Sequence, residues 1–223
     1  MVWLIVLINV LVFLWEISLE PKQLDAAIQV FGFVPHRFFG WEQAGGAALD
    51  PWRFLPLLTA NFLHGGWLHL LGNMWFLWLF GDNVEEALGS VRYLIFYFLV
   101  GTVGALAQSY AMPSSTAPMI GASGAVAGAL GGYVMLYPRA RIDTLITIPF
   151  LWPRIDLPAW VFLGLWFFGQ FLLPSNSGVA WMAHVGGFLA GLGSVRLLAR
   201  TRPRPPSKGE VQVEYLPPPG KRF

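Results

Sequence analysis

Six apolar runs, at residues 2–19, 66–80, 91–112, 119–137, 157–173 and 178–198, constrain this chain more than any other feature. About 20 helical residues cross the roughly 30 Å of hydrocarbon in a bilayer. There the helix is preferred because it satisfies its own backbone. The second run is the least clean, since His69, Asn73 and several glycines interrupt it. Only 12% of the residues are charged, against about a quarter in soluble domains, so this surface cannot face water all round. Six crossings take about 120 residues and leave loops and a tail but no second folded domain. The expectation is an all-α polytopic membrane protein, with a six-helix domain over 1–198 and a proline- and charge-rich disordered tail over 199–223.

A cleaved signal peptide is the alternative for the first run, but it lacks both a basic n-region and a small-x-small cleavage site. It is read as a retained helix. Basic residues mark the cytoplasmic side of short loops. With six spans, eleven of the fourteen lysines and arginines fall with the two termini, leaving Lys22, Arg37 and Arg53 opposite. Both termini are therefore expected in the cytoplasm. The external segment 20–65 holds Phe31, Phe33, Phe38, Phe39, Trp41, Trp52 and Phe54 and is expected to lie in the membrane interface. The Leu145-Ile146-Thr147-Ile148 stretch is read as dipping against the bilayer. The fifth run, rich in Trp160, Phe162, Trp166, Phe167, Phe168 and Phe171, is read as facing lipid and packing loosely.

Polar side chains inside apolar spans carry the functional signal, because they are expensive there and face the protein interior. His69 and Asn73 lie four apart, on one helical face. Ser123 sits in Gly121-Ala122-Ser123-Gly124, and His184 shares a face with Gly187 and Gly191. Each has a purely structural alternative: interhelical hydrogen bonding for His69 and Asn73, small-residue packing for the glycines, and a satisfied buried imidazole for His184. Depth argues for chemistry. Asn73, Ser123 and His184 each fall four to seven residues past an outer span end, roughly 6–11 Å below the surface at 1.5 Å per residue.

A serine hydroxyl becomes nucleophilic when a base takes its proton, and histidine is that base near neutrality. No Asp or Glu is placed to orient the imidazole, so a Ser123–His184 dyad is expected. The Ser123 backbone N–H, Asn73 and His69 would supply oxyanion donors. A transporter lined by His64, His69 and His184 is disfavoured because the polar groups cluster in the outer half. A zinc enzyme is disfavoured because the chain has neither His-Glu-x-x-His nor cysteine. No cofactor, metal or nucleic acid is expected.

Four strings in order, His64-x4-His69-x3-Asn73, Gly81-x3-Glu85-x3-Gly89, Gly121-Ala122-Ser123-Gly124 and Ala183-His184-x-Gly186-Gly187, resemble the rhomboid family of intramembrane serine proteases. The resemblance covers nearly all of the chain before the tail. It implies cleavage of peptide bonds in or beside transmembrane segments of single-pass or polytopic membrane proteins within the lipid bilayer. It also implies a bacterial-type inner membrane and a site opening to the external side. By the same resemblance Ser123 is nucleophile, His184 base, and His69, Asn73 and the Ser123 N–H the oxyanion hole. His64, Gly121, Gly124, Trp52, Arg53 and Glu85 are supporting residues, and the fifth helix forms part of a lateral substrate route. The family also contains inactive members that bind membrane proteins, the alternative function; the presence of both Ser123 and His184 argues against it. Ala127 departs from the aromatic usual four residues after the nucleophile, whose ring packs on the catalytic histidine. Trp52-Arg53 stands farther from His64 than is usual.

Overall fold

A computed structural model describes residues 1–41, 44–47, 50–145, 154–172 and 178–200 of the chain. The 201–223 part of the expected disordered tail and residues 146–153, which hold most of the stretch expected to dip into the bilayer, lie outside the described residues.

Helix α1 (Val2–Ser18) is apolar apart from Asn9, Glu16 and Ser18. Val2, Ile5, Asn9, Phe13 and Glu16 face inward, while Trp3, Leu7, Leu11 and Ile17 are more than half exposed. An outward apolar stripe of this kind suits hydrocarbon and is costly in water. Three short helices follow within the expected interfacial segment: α2 (Pro21–Phe31), α3 (Pro35–Phe39) and α4 (Pro51–Thr59). Each begins on a proline, whose missing N–H is not needed in a first turn. Asp50 caps α4 by accepting the Trp52 N–H at 3.0 Å. Phe38 gathers this segment, meeting Phe33, Phe39 and Phe54 at 5.2–5.9 Å between ring centroids. The segment is a helical cap on the bundle.

Helix α5 (Trp67–Phe76) runs through a π-helical stretch, Leu77–Gly81, into α6 (Asp82–Leu88). The second apolar run therefore continues in helical form past residue 80, where it was expected to end. Gly89, at φ +79°, turns the chain into α7 (Ser90–Ala111). After α8 (Ser123–Leu136) comes an antiparallel hairpin, β1 (Arg141–Leu145) with β2 (Arg154–Pro158). Two further helices complete the described bundle: α9 (Ala159–Gly169), extended by a 3-10 turn at Gln170–Leu172, and α10 (Trp181–Leu198).

The all-α expectation needs correction. The chain is mostly helical but not all-α: both strands open with Arg-Ile-Asp, and Arg154 pairs with Asp143 at 3.7 Å across the ladder. Ile142 and Thr144 alternate with Arg141 and Asp143, a period-two pattern of β-branched residues that suits a strand. Among the described residues one helix, Ser90–Ala111, is long and apolar enough by itself to cross a membrane, while Val2–Ser18, Ser123–Leu136 and the Ala159–Leu172 helix are apolar but shorter. Non-helical segments enter where the sequence runs are uninterrupted. The 119–137 run shows this: Met119 pairs with Phe33 in an isolated bridge and Gly121 N–H donates to Ala60 C=O at 2.8 Å, so the helix starts only at Ser123.

The core is the three-helix contact of α7, α8 and α10. A Cβ on Gly187 would collide with the Gly124 carbonyl, one on Gly191 with the Gly128 carbonyl, and one on Gly131 with the Phe188 carbonyl. Without a hydrophobic drive between helices in lipid, such close backbone approach supplies the packing attraction. It fixes α8 against α10, and with them Ser123 and His184.

Candidate active site

Ser123 is the first residue of α8 and His184 the fourth of α10. Their chain neighbours touch, since a Cβ on Gly124 would lie 3.7 Å from the Ala183 carbonyl oxygen and 3.9 Å from its Cβ. Ser123, His184, His69 and Asn73 all line one cavity of about 950 Å³. The four residues from three separate apolar runs meet there. As the first helical residue, Ser123 presents a backbone N–H that has no intrahelical partner, at the positive end of the helix.

Gly121 explains how His69 and Asn73 come so near. Its φ of +116° is one that residues with a Cβ rarely adopt. A Cβ there would lie 2.5 Å from His69 Cε1, 2.6 Å from Nε2 and 3.7 Å from Asn73 Nδ2. His69 Nδ1 accepts the Gly65 N–H at 3.4 Å, which puts the proton of the neutral ring on Nε2, the atom beside Gly121. Asn73 is buried, and its Nδ2 has no hydrogen-bond partner among the described residues.

His64 stands behind His69, outside the cavity lining. Its backbone N–H donates to the buried Glu16 carboxylate at 3.1 Å, its Nδ1 lies 3.3 Å from the Phe62 carbonyl, and its ring meets the His69 ring edge-on at 5.1 Å. Gly124 belongs to the helix seam described above. Trp52 and Arg53 are not brought to the cavity. Trp52 is 63% exposed, and Arg53 lies over Phe38 and Phe54 and donates to the Phe38 carbonyl. Nor is Glu85 at the site. Its carboxylate accepts the Met1 amino group at 2.6 Å, the Val2 N–H at 2.7 Å and the Ser90 hydroxyl at 2.5 Å, joining the starts of α1 and α7. Burial alone would raise its pKa, but these donors outweigh burial and hold it below the usual carboxylate value.

Two residues outside the sequence-based set reach His184. Gln170 Oε1 lies 2.7 Å from His184 Nδ1, and the Trp166 ring sits 6.1 Å from the imidazole at 34°. Trp166 is thus the aromatic partner that Ala127, fully buried in the core, does not provide. Helix α9 therefore has two faces: Trp166 packs inward while Leu165, Phe168 and Leu172 are exposed, which corrects its reading as simply lipid-facing. The signal was present as a lone amide in an apolar run, spaced i, i+4 from Trp166. Among the described residues no group of three or more His, Asp or Glu is arranged to hold a metal ion.

Helices with apolar outer faces around half-buried imidazole and hydroxyl groups and a buried amide place the molecule in the class of integral membrane proteins with an internal polar site. A Rhomboid domain model matches residues 50–201, and the chain belongs to the rhomboid family. It is similar to Rhomboid-like protein 11, chloroplastic, of Arabidopsis thaliana, with 29% identity over 88% of this chain and 64% of the relative. It is also similar to Rhomboid protease GluP of Bacillus subtilis, at 34% identity over 63% of this chain and 24% of the relative. Rhomboid protease GlpG of Pectobacterium atrosepticum is 28% identical over 67% of this chain and 49% of the relative. The chain thus spans less than two thirds of the length of each of these three.

Proposed function

We propose that the protein is an intramembrane serine endopeptidase that hydrolyses peptide bonds in or next to transmembrane segments of other membrane proteins. Ser123 Oγ attacks the scissile carbonyl carbon while His184 Nε2 takes its proton and then delivers it to the leaving amine. The carbonyl oxygen, now an anion, is met by the Ser123 N–H, the Asn73 amide and His69 Nε2–H. Water attacks the acyl-enzyme by the same route and frees the acid. The names of two relatives, each a rhomboid protease, support the reading.

The observation that carries it is Asn73. A buried donor left unpaired costs about 1–3 kcal/mol, and this one lines the cavity of Ser123 and His184. That arrangement supports catalysis over the alternative, an inactive membrane-protein binding factor. Six crossings, cytoplasmic termini, an external opening of the cavity and a bacterial-type inner membrane belong to the same proposal. The lysine and arginine distribution supports the orientation, while relatives from chloroplasts and mitochondria show that the family also occupies other membranes.

Labelling of the detergent-purified chain with a serine-reactive fluorophosphonate tests the chemistry, with cleavage of a model transmembrane substrate alongside. Labelling and cleavage are expected in the native chain and absent from Ser123→Ala and His184→Ala. Native-like labelling of Ser123→Ala defeats the assignment.

A further inference from the structure

We propose that Gln170 is the positioning residue of the Ser123–His184 pair, a neutral amide in the place that a carboxylate occupies in soluble triads. The proposal rests on the hydrolase reading above and adds a third member to it. Its basis is a chain of two hydrogen bonds. Gln170 Nε2 donates to the Trp166 carbonyl at 3.0 Å, and Gln170 Oε1 faces His184 Nδ1 at 2.7 Å. An amide can be turned end for end when nothing commits either end. Here the carbonyl of Trp166 can only accept, so it commits the nitrogen. The oxygen that remains can only accept as well, so Nδ1 must carry the proton. In the neutral ring this leaves Nε2 unprotonated, the form a general base needs.

The setting agrees with a single purpose. Gln170 is 8% exposed and opens the 3-10 turn that follows α9. Trp166, one turn earlier, lays its ring beside the same imidazole. Residues i and i+4 of one helix thus hold His184 by its edge and by its face. The two histidines are the titratable residues lining the cavity, so His69 is the group that faces His184 across it. A neutral amide sets the tautomer without placing a bare charge in an apolar span, which is costly. One consequence is that the base is set only while α9 is seated on α10.

The test uses the full chain in detergent micelles and reads the rate of fluorophosphonate labelling against pH. Gln170→Leu removes the acceptor and is expected to slow labelling about 10- to 100-fold, as loss of one strong orienting hydrogen bond would. Gln170→Glu keeps an acceptor but adds a charge that favours the imidazolium, a form unable to take a proton. Its pH midpoint is expected to move upward by about one to three pH units. The proposal is overturned if both variants keep the native rate and midpoint, or if Gln170→Leu slows labelling while Gln170→Glu leaves the midpoint in place, the pattern of a merely structural residue. Should Gln170→Leu prove unfolded by thermal denaturation, the Gln170→Glu midpoint decides alone. Ser123→Ala runs in parallel, and native-like labelling there defeats the hydrolase reading itself.

Discussion

Replacing Gly121 with alanine separates the geometry of the site from the stability of the bundle. The new Cβ would stand 2.5 Å from His69 Cε1 and 2.6 Å from its Nε2, where carbon contacts settle at about 3.5–4.0 Å. The ring must therefore retreat by about 1 Å or the loop before Ser123 must yield. A displacement of about 1 Å at a reacting centre can cost roughly 100-fold in rate, which equals about 2.7 kcal/mol of barrier. Loss of one oxyanion donor costs a similar 100- to 1,000-fold. The φ of +116° adds strain of about 1–3 kcal/mol to the folded state. Gly121→Ala is thus expected to fold with a lowered Tm and to cleave a model substrate about 100-fold more slowly. A double-mutant cycle assigns the cause. In a His69→Ala background the same change should cost stability but little further activity. Cleavage by folded Gly121→Ala at the native rate would refute the argument, since His69 could then not be held against residue 121 during the reaction.

Gly191→Leu places a side chain against the Gly128 carbonyl and is expected to cost at least the roughly 1–3 kcal/mol of core overpacking, read as a drop in Tm in micelles, whereas the same change at Gly193, with open space around it, should leave Tm within a degree or two. Glu85→Gln is expected to cost about 1–3 kcal/mol by weakening charge-assisted hydrogen bonds. Because the folded carboxyl has a lowered pKa, its contribution is whole above the unfolded value near 4.5 and vanishes as pH falls through the folded one; native and Glu85→Gln stabilities should therefore converge in acid. The chain has no cysteine, so single cysteines at Ser18 and Arg139 can report topology. An impermeant maleimide applied to intact cells should reach the first and not the second, and the reverse pattern would overturn the proposed orientation.

The positions of α1, α7 and α10 were legible because their apolar runs are long. The cavity was legible because hydroxyl, amide and imidazole groups are rare enough in such runs for their depths to be compared. What escaped has physical reasons. Periodicity cannot show that Met119 spends its backbone groups on Phe33, so α8 was started too early and Ser123 was placed inside the helix instead of at its first position. Gln170 was overlooked because it stands among phenylalanines near the end of a run, and only the tertiary contact of α9 with α10 gives it a partner. The hairpin carries two five-residue segments, too short to stand out in the connection between the fourth and fifth apolar runs. Trp52 and Arg53 came from resemblance, and the sequence could not reveal that Arg53 spends its guanidinium on Phe38 and Phe54.

The bridge between Phe33 and Met119 bears on where the folding unit begins. The family match starts at residue 50, yet Phe33 exchanges both backbone hydrogen bonds with Met119, at 3.0 and 2.8 Å, and the His36 N–H donates to the Ser115 carbonyl at 3.0 Å. A protein cut at the family boundary would keep every residue of the cavity except Pro35, yet lose the clamp on the strand that leads to Ser123. Those backbone groups would need new partners, and of these anchors the segment before Ser123 would keep the Gly121 N–H bond to the Ala60 carbonyl. The residues before the family match therefore brace the approach to Ser123 through backbone hydrogen bonds and reach the cavity itself through Pro35.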